Sequence, residues 1–300
     1  MSNQLHKIIR QFAICVKSRK IVIGVYSWLS INSLFIVYRG LPPSMLIFKL
    51  FLAMTGMALG VYLWNDVCDY EQDISDEGVE GLAPSSRPLG MGLVSKRRMG
   101  VFSALLVAFG LTASALINIE VLLAQLVFLV LGLLYSTEPI RLKRFFFVKQ
   151  VMTALGGSIS CLSAGLAVGI ISVQLLYLMG LFVLFIVGAN PLGDLKDIES
   201  DRAGGVKTIP ILFGPEFTIK LALTTFTAAA ATTWIGYLRL GFNIALPIIG
   251  TIVFIAWTYV MYPLLSQLSD LDYVVKRSYS RGMPLFFLLQ IAVLVGSLPV

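Results

Sequence analysis

The chain has 300 residues, of which 57% are hydrophobic and only 13% charged, with a formal net charge of +7 and a mean hydropathy of +0.87. A soluble globule would carry charge on about a quarter of its residues, so this is a polytopic membrane protein. One histidine, His6, and three scattered cysteines (Cys15, Cys68, Cys161) exclude zinc sites, haem ligation, Ser-His-Asp catalysis and a disulfide framework.

The opening, residues 1–20, is basic and amphipathic (Lys7, Arg10, Lys17, Arg19, Lys20). It has no continuous apolar core or small-residue cleavage site, which predicts a helix on the membrane surface rather than a removable signal. Apolar runs long enough to span a bilayer then fall at 21–38, 43–64, 100–117, 120–137, 149–170, 172–193, 216–238, 243–265 and 282–299. They follow one another without a polar linker, so the expectation is all-α: one membrane-embedded domain over 1–300, a bundle of about nine transmembrane helices. Polar loops of real length occur only at 64–99, 138–148, 194–215 and 266–281. Lys and Arg gather in those loops and in the N-terminal segment, which places the N-terminus and all four loops in the cytosol and the C-terminus opposite. Nothing forms a basic face with aromatics on a soluble fold, so no nucleic-acid partner is expected. Lys49, inside the second run, is the one basic residue outside this scheme, and snorkelling or a bound anion would each accommodate it.

Two acidic stretches end apolar runs: Asn65-Asp66-Val67-Cys68-Asp69-Tyr70-Glu71-Gln72-Asp73 and Asp194-Leu195-Lys196-Asp197-Ile198-Glu199-Ser200-Asp201. Each places aspartates at i, i+3 and i+7, one face of a helix. Six clustered carboxylates repel one another unless cations neutralise them. Hard cations with oxygen ligands, above all Mg²⁺ bridging to a diphosphate, fit that need. The matched spacing predicts two pseudo-repeated four-helix sets plus one helix, with the motifs face to face across a central cavity. Asn65 has three readings: a cap, a metal ligand, or a group that orients Asp69 one turn on. Cys68 reads as packing, and Tyr62, Trp64, Trp234 and Trp257 as interface or core aromatics.

Three further stretches join the same rim. Arg87-Pro88-Leu89-Gly90-Met91-Gly92 is a turn, with Ser95 as N-cap of the next helix. Tyr135-Ser136-Thr137-Glu138-Pro139-Ile140-Arg141-Leu142-Lys143-Arg144 closes the fourth run with anion binders. Arg202 to Pro210, with Lys207, follows the second motif. Lys96, Arg97, Arg98, Lys276 and Arg277 read as contacts to lipid headgroups.

With these motifs in place, the chain resembles the UbiA superfamily of intramembrane prenyltransferases. Asn65-Asp66-x-x-Asp69-x-x-x-Asp73 is similar to its first aspartate motif, and Asp194 with Asp197-x-x-x-Asp201 to its second. Arg87-Pro88-Leu89 with Ser95 looks like the loop after the first motif, and Tyr135-Ser136 through Lys143 like the stretch after the fourth helix. Lys196 to Asp201 and Gly205 to Pro210 are similar to the branch of chlorophyll synthase, homogentisate prenyltransferases and digeranylgeranylglyceryl phosphate synthase. The resemblance implies a nine-helix bundle, Mg²⁺, a polyprenyl diphosphate and electrophilic alkylation of a lipophilic, aromatic or otherwise nucleophilic acceptor. Asp66, Asp69, Asp73, Asp194, Asp197 and Asp201, with Asn65, would hold the metal. Asn65, Arg87, Tyr135, Arg141, Lys143, Arg144 and Lys207 would contact the diphosphate. The link after the first motif departs from the family in being long and acidic (Asp76, Glu77, Glu80, then Ser85-Ser86), and Met91 replaces a small polar residue. That link keeps a second reading open, a terpene cyclase of the same superfamily that needs no acceptor. A cation-coupled transporter is the remote third.

Overall fold

The computed structural model of the protein describes residues 2–75, 87–203 and 205–299, and among them the side chains of 4–70, 87–199, 201–202 and 205–299. Among the described residues nine helices are long and apolar enough to cross a membrane: Lys20–Tyr38, Ser44–Tyr70, Lys96–Ala115, Ile119–Ser136, Val148–Val168, Val173–Asp197, Ile209–Arg239, Ala245–Ser266 and Leu271–Ser297. They are called the first to ninth spans below. The protein is an integral, multi-pass membrane protein.

The chain divides into two compact units, and the boundary runs within the first span. Residues 1–31 and 44–143 form the first unit. Its centre is the contact of the second and third spans, which glycines make close. A Cβ on Gly56 would lie 2.9 Å from the Gly110 Cα, and one on Gly110 would lie 2.7 Å from the Met57 backbone nitrogen. Lipid tails are as apolar as leucine, so membrane helices associate through such close backbone approach. At the far end of this pair Lys49 Nζ donates to the Leu116 carbonyl at 2.9 Å. A cation at a helix C-terminus satisfies an orphan carbonyl and opposes the helix dipole, which accounts for this lysine without a bound anion.

The N-terminal helix, Ser2–Ser18, is helical as expected and carries no acid in its first turn. Its second half docks on the first unit. Cys15 is fully buried among Leu63, Val67, Leu89, Val94, Met99 and Phe102, Phe12 meets Phe102 edge-on at 5.3 Å, and Gln11 Nε2 donates to the Leu93 carbonyl at 2.9 Å. Leu5, Ile8 and Ile9 in the first half are exposed.

Residues 32–43 and 144–300 form the second unit. Stacked rings bind its spans together: Phe226 on Trp257 at 3.6 Å, and Phe185 on Phe286 at 3.6 Å. Asn32 Nδ2 donates to the Gln290 carbonyl at 3.1 Å.

Local capping follows the sequence at several helix starts. Ser95 accepts from the Arg98 backbone N–H at 3.4 Å, Asn118 from Val121 at 2.8 Å, and Ser172 from Leu175 at 3.1 Å. Three places differ from expectation. The second motif begins on a 3-10 helix, Asn190–Asp197, before α-helix resumes at Ile198; Pro191 opens this tighter turn. Three residues complete a 3-10 turn, so Asp194 and Asp197 still share a face. The seventh span is broken at Gly214 (φ 83°), immediately before Pro215. The polar stretch 266–281 is largely helical: Asp270 caps Leu271–Arg277 by accepting from Tyr273 N–H at 2.9 Å, and Val274 and Val275 are buried.

Candidate active site

In the first unit the second span carries Asn65, Asp66 and Asp69 past its apolar stretch. Asp66 is 1% exposed, and a carboxylate so placed requires a cation. Arg19 provides it bidentately: Nε donates to Oδ2 at 3.0 Å and Nη2 to Oδ1. Arg87 Nε stands 3.9 Å from the same Oδ1. Asp69 Oδ1 accepts from Arg141 Nη2 at 3.0 Å and from Lys143 Nζ. Asn65 Nδ2 donates to Asp69 Oδ2 at 2.9 Å, and its own Oδ1 accepts from Ser136 Oγ at 2.9 Å. Of the three readings of Asn65, orientation of Asp69 is the one these bonds display. Trp64 Nε1 donates to Thr137 Oγ1 at 3.0 Å, so two successive residues of the second span are tied to the C-terminal end of the fourth.

Electrostatics here are tightly balanced. Burial lowers the Lys143 ammonium from its ordinary value, while the Asp69 carboxylate pulls it back up. Burial pushes the Cys15 thiol up to about 11, with the Asp66 carboxylate adding to the shift.

In the second unit Asp194 is 4% exposed. Lys149 Nζ pairs with its Oδ1, and its Oδ2 is buried with no hydrogen-bond partner. Gly193 leaves space for the Tyr279 hydroxyl, which a Cβ would meet. Asp197 is half-exposed, with Lys196 Nζ 4.0 Å away, and Asp201 is half-buried.

The structure thus brings together Asn65, Asp66, Asp69, Arg87, Arg141 and Lys143. Tyr135 is half-buried beside Ser136 at the end of the fourth span, and Arg144 and Lys207 are exposed. Asp73 and Glu71 lie on helical backbone, but their side chains are outside the described residues, as are Asp76, Glu77, Glu80, Ser85 and Ser86. Two cations that pair with buried aspartates escaped the sequence reading, Arg19 and Lys149. By sequence Arg19 belongs to the basic amphipathic opening, and Lys149 to the loop charges that set topology. The available signal was the buried carboxylate itself, since each one demands a positive partner from some other segment.

The donor set suits Mg²⁺. Among the described residues no three acidic, cysteine or histidine side chains form a ready-made cage. Magnesium is ordinarily held by one or two carboxylates, with substrate phosphates and water completing the shell. The partnerless Asp194 Oδ2 is a hard oxygen of that kind.

Residues 26–273 match the UbiA prenyltransferase family. The chain belongs to that family. Among curated UbiA-like relatives, the digeranylgeranylglyceryl phosphate synthase of Sulfurisphaera tokodaii is 29% identical over 258 residues, covering 84% of this chain and 87% of that one. The bacteriochlorophyll synthase 33 kDa chain of Cereibacter sphaeroides is 30% identical over 189 residues, and the match spans 59% of this chain and 60% of the relative's length. The UbiA fold is also seen in solved structures. A digeranylgeranylglyceryl phosphate synthase superposes with a TM-score of 0.71 at 22% identity, over 98% of this chain and 99% of that one. A UbiA homologue from Archaeoglobus fulgidus bound to DMAPP and Mg²⁺ gives 0.64 at 18% identity, over 92% of this chain and 99% of that one.

Proposed function

We propose that this UbiA-family protein is an Mg²⁺-dependent prenyltransferase that ionises a polyprenyl diphosphate and passes the prenyl group to a lipophilic acceptor on the cytosolic side of its membrane. The observation that carries the reading is the pairing pattern of Asp66, Asp69 and Asp194. Asp66, Asp69 and Asp194 each sit against cations that also suit phosphate oxygens.

In this reading each motif contributes to Mg²⁺ and diphosphate binding. Bound Mg²⁺ supplies Lewis-acid neutralisation of the charge that builds on the leaving group. Asp66, Asp69, Asp73, Asp194, Asp197 and Asp201 hold the metal side. Arg19, Arg87, Arg141 and Lys143 at the first motif, and Lys149 at the second, turn from carboxylate to diphosphate oxygens as the ligand enters, so each motif exchanges partners without stranding a buried charge. Asn65, fixed by Ser136, keeps Asp69 in register. Apolar walls exclude water from the allylic cation. The allylic C–O bond breaks with its electron pair leaving on the diphosphate. The acceptor's electron pair then forms the new bond to carbon, and the acceptor loses a proton. Relatives named for digeranylgeranylglyceryl phosphate synthesis make an isoprenoid glyceryl phosphate the first acceptor to try.

The test is to incubate purified protein with Mg²⁺ and geranyl, farnesyl or geranylgeranyl diphosphate, with and without that acceptor. The expected result is diphosphate release that depends on acceptor and gives a prenylated lipid. A cyclic hydrocarbon or terpene alcohol formed without acceptor would replace transfer by cyclisation, and no diphosphate release with any donor would overturn the reading.

A further inference from the structure

The first unit has an apolar recess beside the acidic motif. Between the second, third and fourth spans lies an apolar slot of about 190 Å³, walled by Val61, Trp64, Gly100, Ala104, Leu129 and Leu133. Ala104 and Leu133 are exposed, so the slot opens at the protein surface. Its one hydroxyl, Ser103 Oγ, is already spent on the Gly60 carbonyl at 2.8 Å, which leaves no polar group asking for a polar ligand. A Cβ on Gly100 would meet nothing within 4 Å, so the glycine widens the mouth of the slot rather than serving a helix contact.

The third span links this slot to charge. Gly100, Ser103, Ala104 and Val107 follow one another at helical spacing along its inner stripe, and Lys96 and Arg97 precede Gly100 by four and three residues on the same stripe. Both are exposed in the first turn of the span, the end at which a membrane helix meets lipid headgroups. Lys96 Nζ sits 5.4 Å from the centre of the Tyr70 ring, which holds it over the second span and at the slot's charged end. Arg98, on the other side, is taken up by Gln11 Oε1 at 2.7 Å.

We infer that this slot is a binding site for an anionic glycerophospholipid of the surrounding bilayer, one hydrocarbon chain in the apolar recess and the phosphate between Lys96 and Arg97. The chain would rest on Trp64, the residue before Asn65, whose indole already braces Thr137.

Native mass spectrometry of the full-length protein, titrated in detergent with phosphatidylglycerol or phosphatidylcholine, tests this without any turnover and so separately from prenyl transfer. Wild type is expected to retain phosphatidylglycerol over phosphatidylcholine. Gly100→Leu should lose both, while Gly180→Leu, equally unhindered in the second unit, should bind as wild type does. Lys96→Gln with Arg97→Gln should weaken phosphatidylglycerol binding roughly tenfold to thirtyfold and abolish the preference. Ala104→Phe fills the slot from its exposed side and gives a second reading if Gly100→Leu fails to fold. Retention of phosphatidylglycerol by both filling variants would overturn the site, and equal retention of the two lipids by wild type would overturn its anionic specificity.

Discussion

Asp66 and Asp194 occupy the same position in two motifs of matched spacing, yet Asp66 is gripped on both oxygens by Arg19 with Arg87 close by, whereas Asp194 meets Lys149 on one oxygen and leaves the other without a partner. The neighbours one turn on differ in exposure. Asp69 accepts from Arg141, Lys143 and Asn65, while Asp197 is half-exposed. Asp66 and Asp69 are both paired with cations as folded, and an incoming ligand must displace something. The second retains an unfilled buried acceptor, the costlier state in a low-dielectric interior. One sequence pattern therefore specifies two different electrostatic states, because the balancing cations come from segments distant in the chain.

The contrast can be broken most sharply at the first motif's centre. Asp69→Ala should reduce turnover by about a hundredfold or more, with the protein still folded in the membrane. Full activity in that variant, measured by diphosphate release, would remove Asp69 from the metal role. Next in size, Arg19→Ala strands a buried carboxylate and should cost on the order of 3 kcal/mol in stability, seen as a lowered melting midpoint in detergent. Adding Asp66→Asn should recover part of it. Lys149→Ala should cost less, since its side chain is 34% exposed where that of Arg19 is 9% exposed; an equal loss would erase the difference between the motifs.

Arg87 lies at the rim of the pair, 3.9 Å from Asp66 with its side chain 39% exposed. Arg87→Ala should raise KM for the diphosphate about tenfold, leaving kcat nearly unchanged; a fall confined to kcat would give the residue a role in ionisation instead. The smallest effect concerns Cys15, which packs behind Asp66. Its thiol stays protonated in the folded protein to about pH 11 and ionises near its ordinary value of 9.0 when unfolded. The folded form therefore binds the extra proton between those values, and the thiol's contribution is complete below 9 and lost as pH rises towards 11. Melting midpoints across that interval should fall less steeply for Cys15→Ala than for wild type.

Hydropathy runs and aspartate spacing made the spans and both motifs legible, because burial in lipid and helical periodicity act on local sequence. Ser95 as a cap was legible for the same reason, whereas for Asn65 the sequence left a cap, a metal ligand and an orienting group open. The ion pairs were not: nothing in the sequence near Asp66 points to Arg19, 47 residues earlier, since only tertiary packing decides which cation reaches which carboxylate. The helix over Leu271–Arg277 was hidden by its charged residues, whose polarity masked the cap at Asp270 and the buried pair Val274-Val275. The 3-10 turn before Asp197 was hidden too, because the i, i+3 spacing suits either winding.

The glycine contact between the second and third spans reaches beyond packing. With Gly56 and Gly110 backbone against backbone, a single added methyl at Gly110 would push apart the spans and shift Asp66 and Asp69 through steric displacement alone. A carrier of Gly110→Ala would present as an inactive enzyme with every chemical group intact, and an inventory of reactive side chains would overlook the cause.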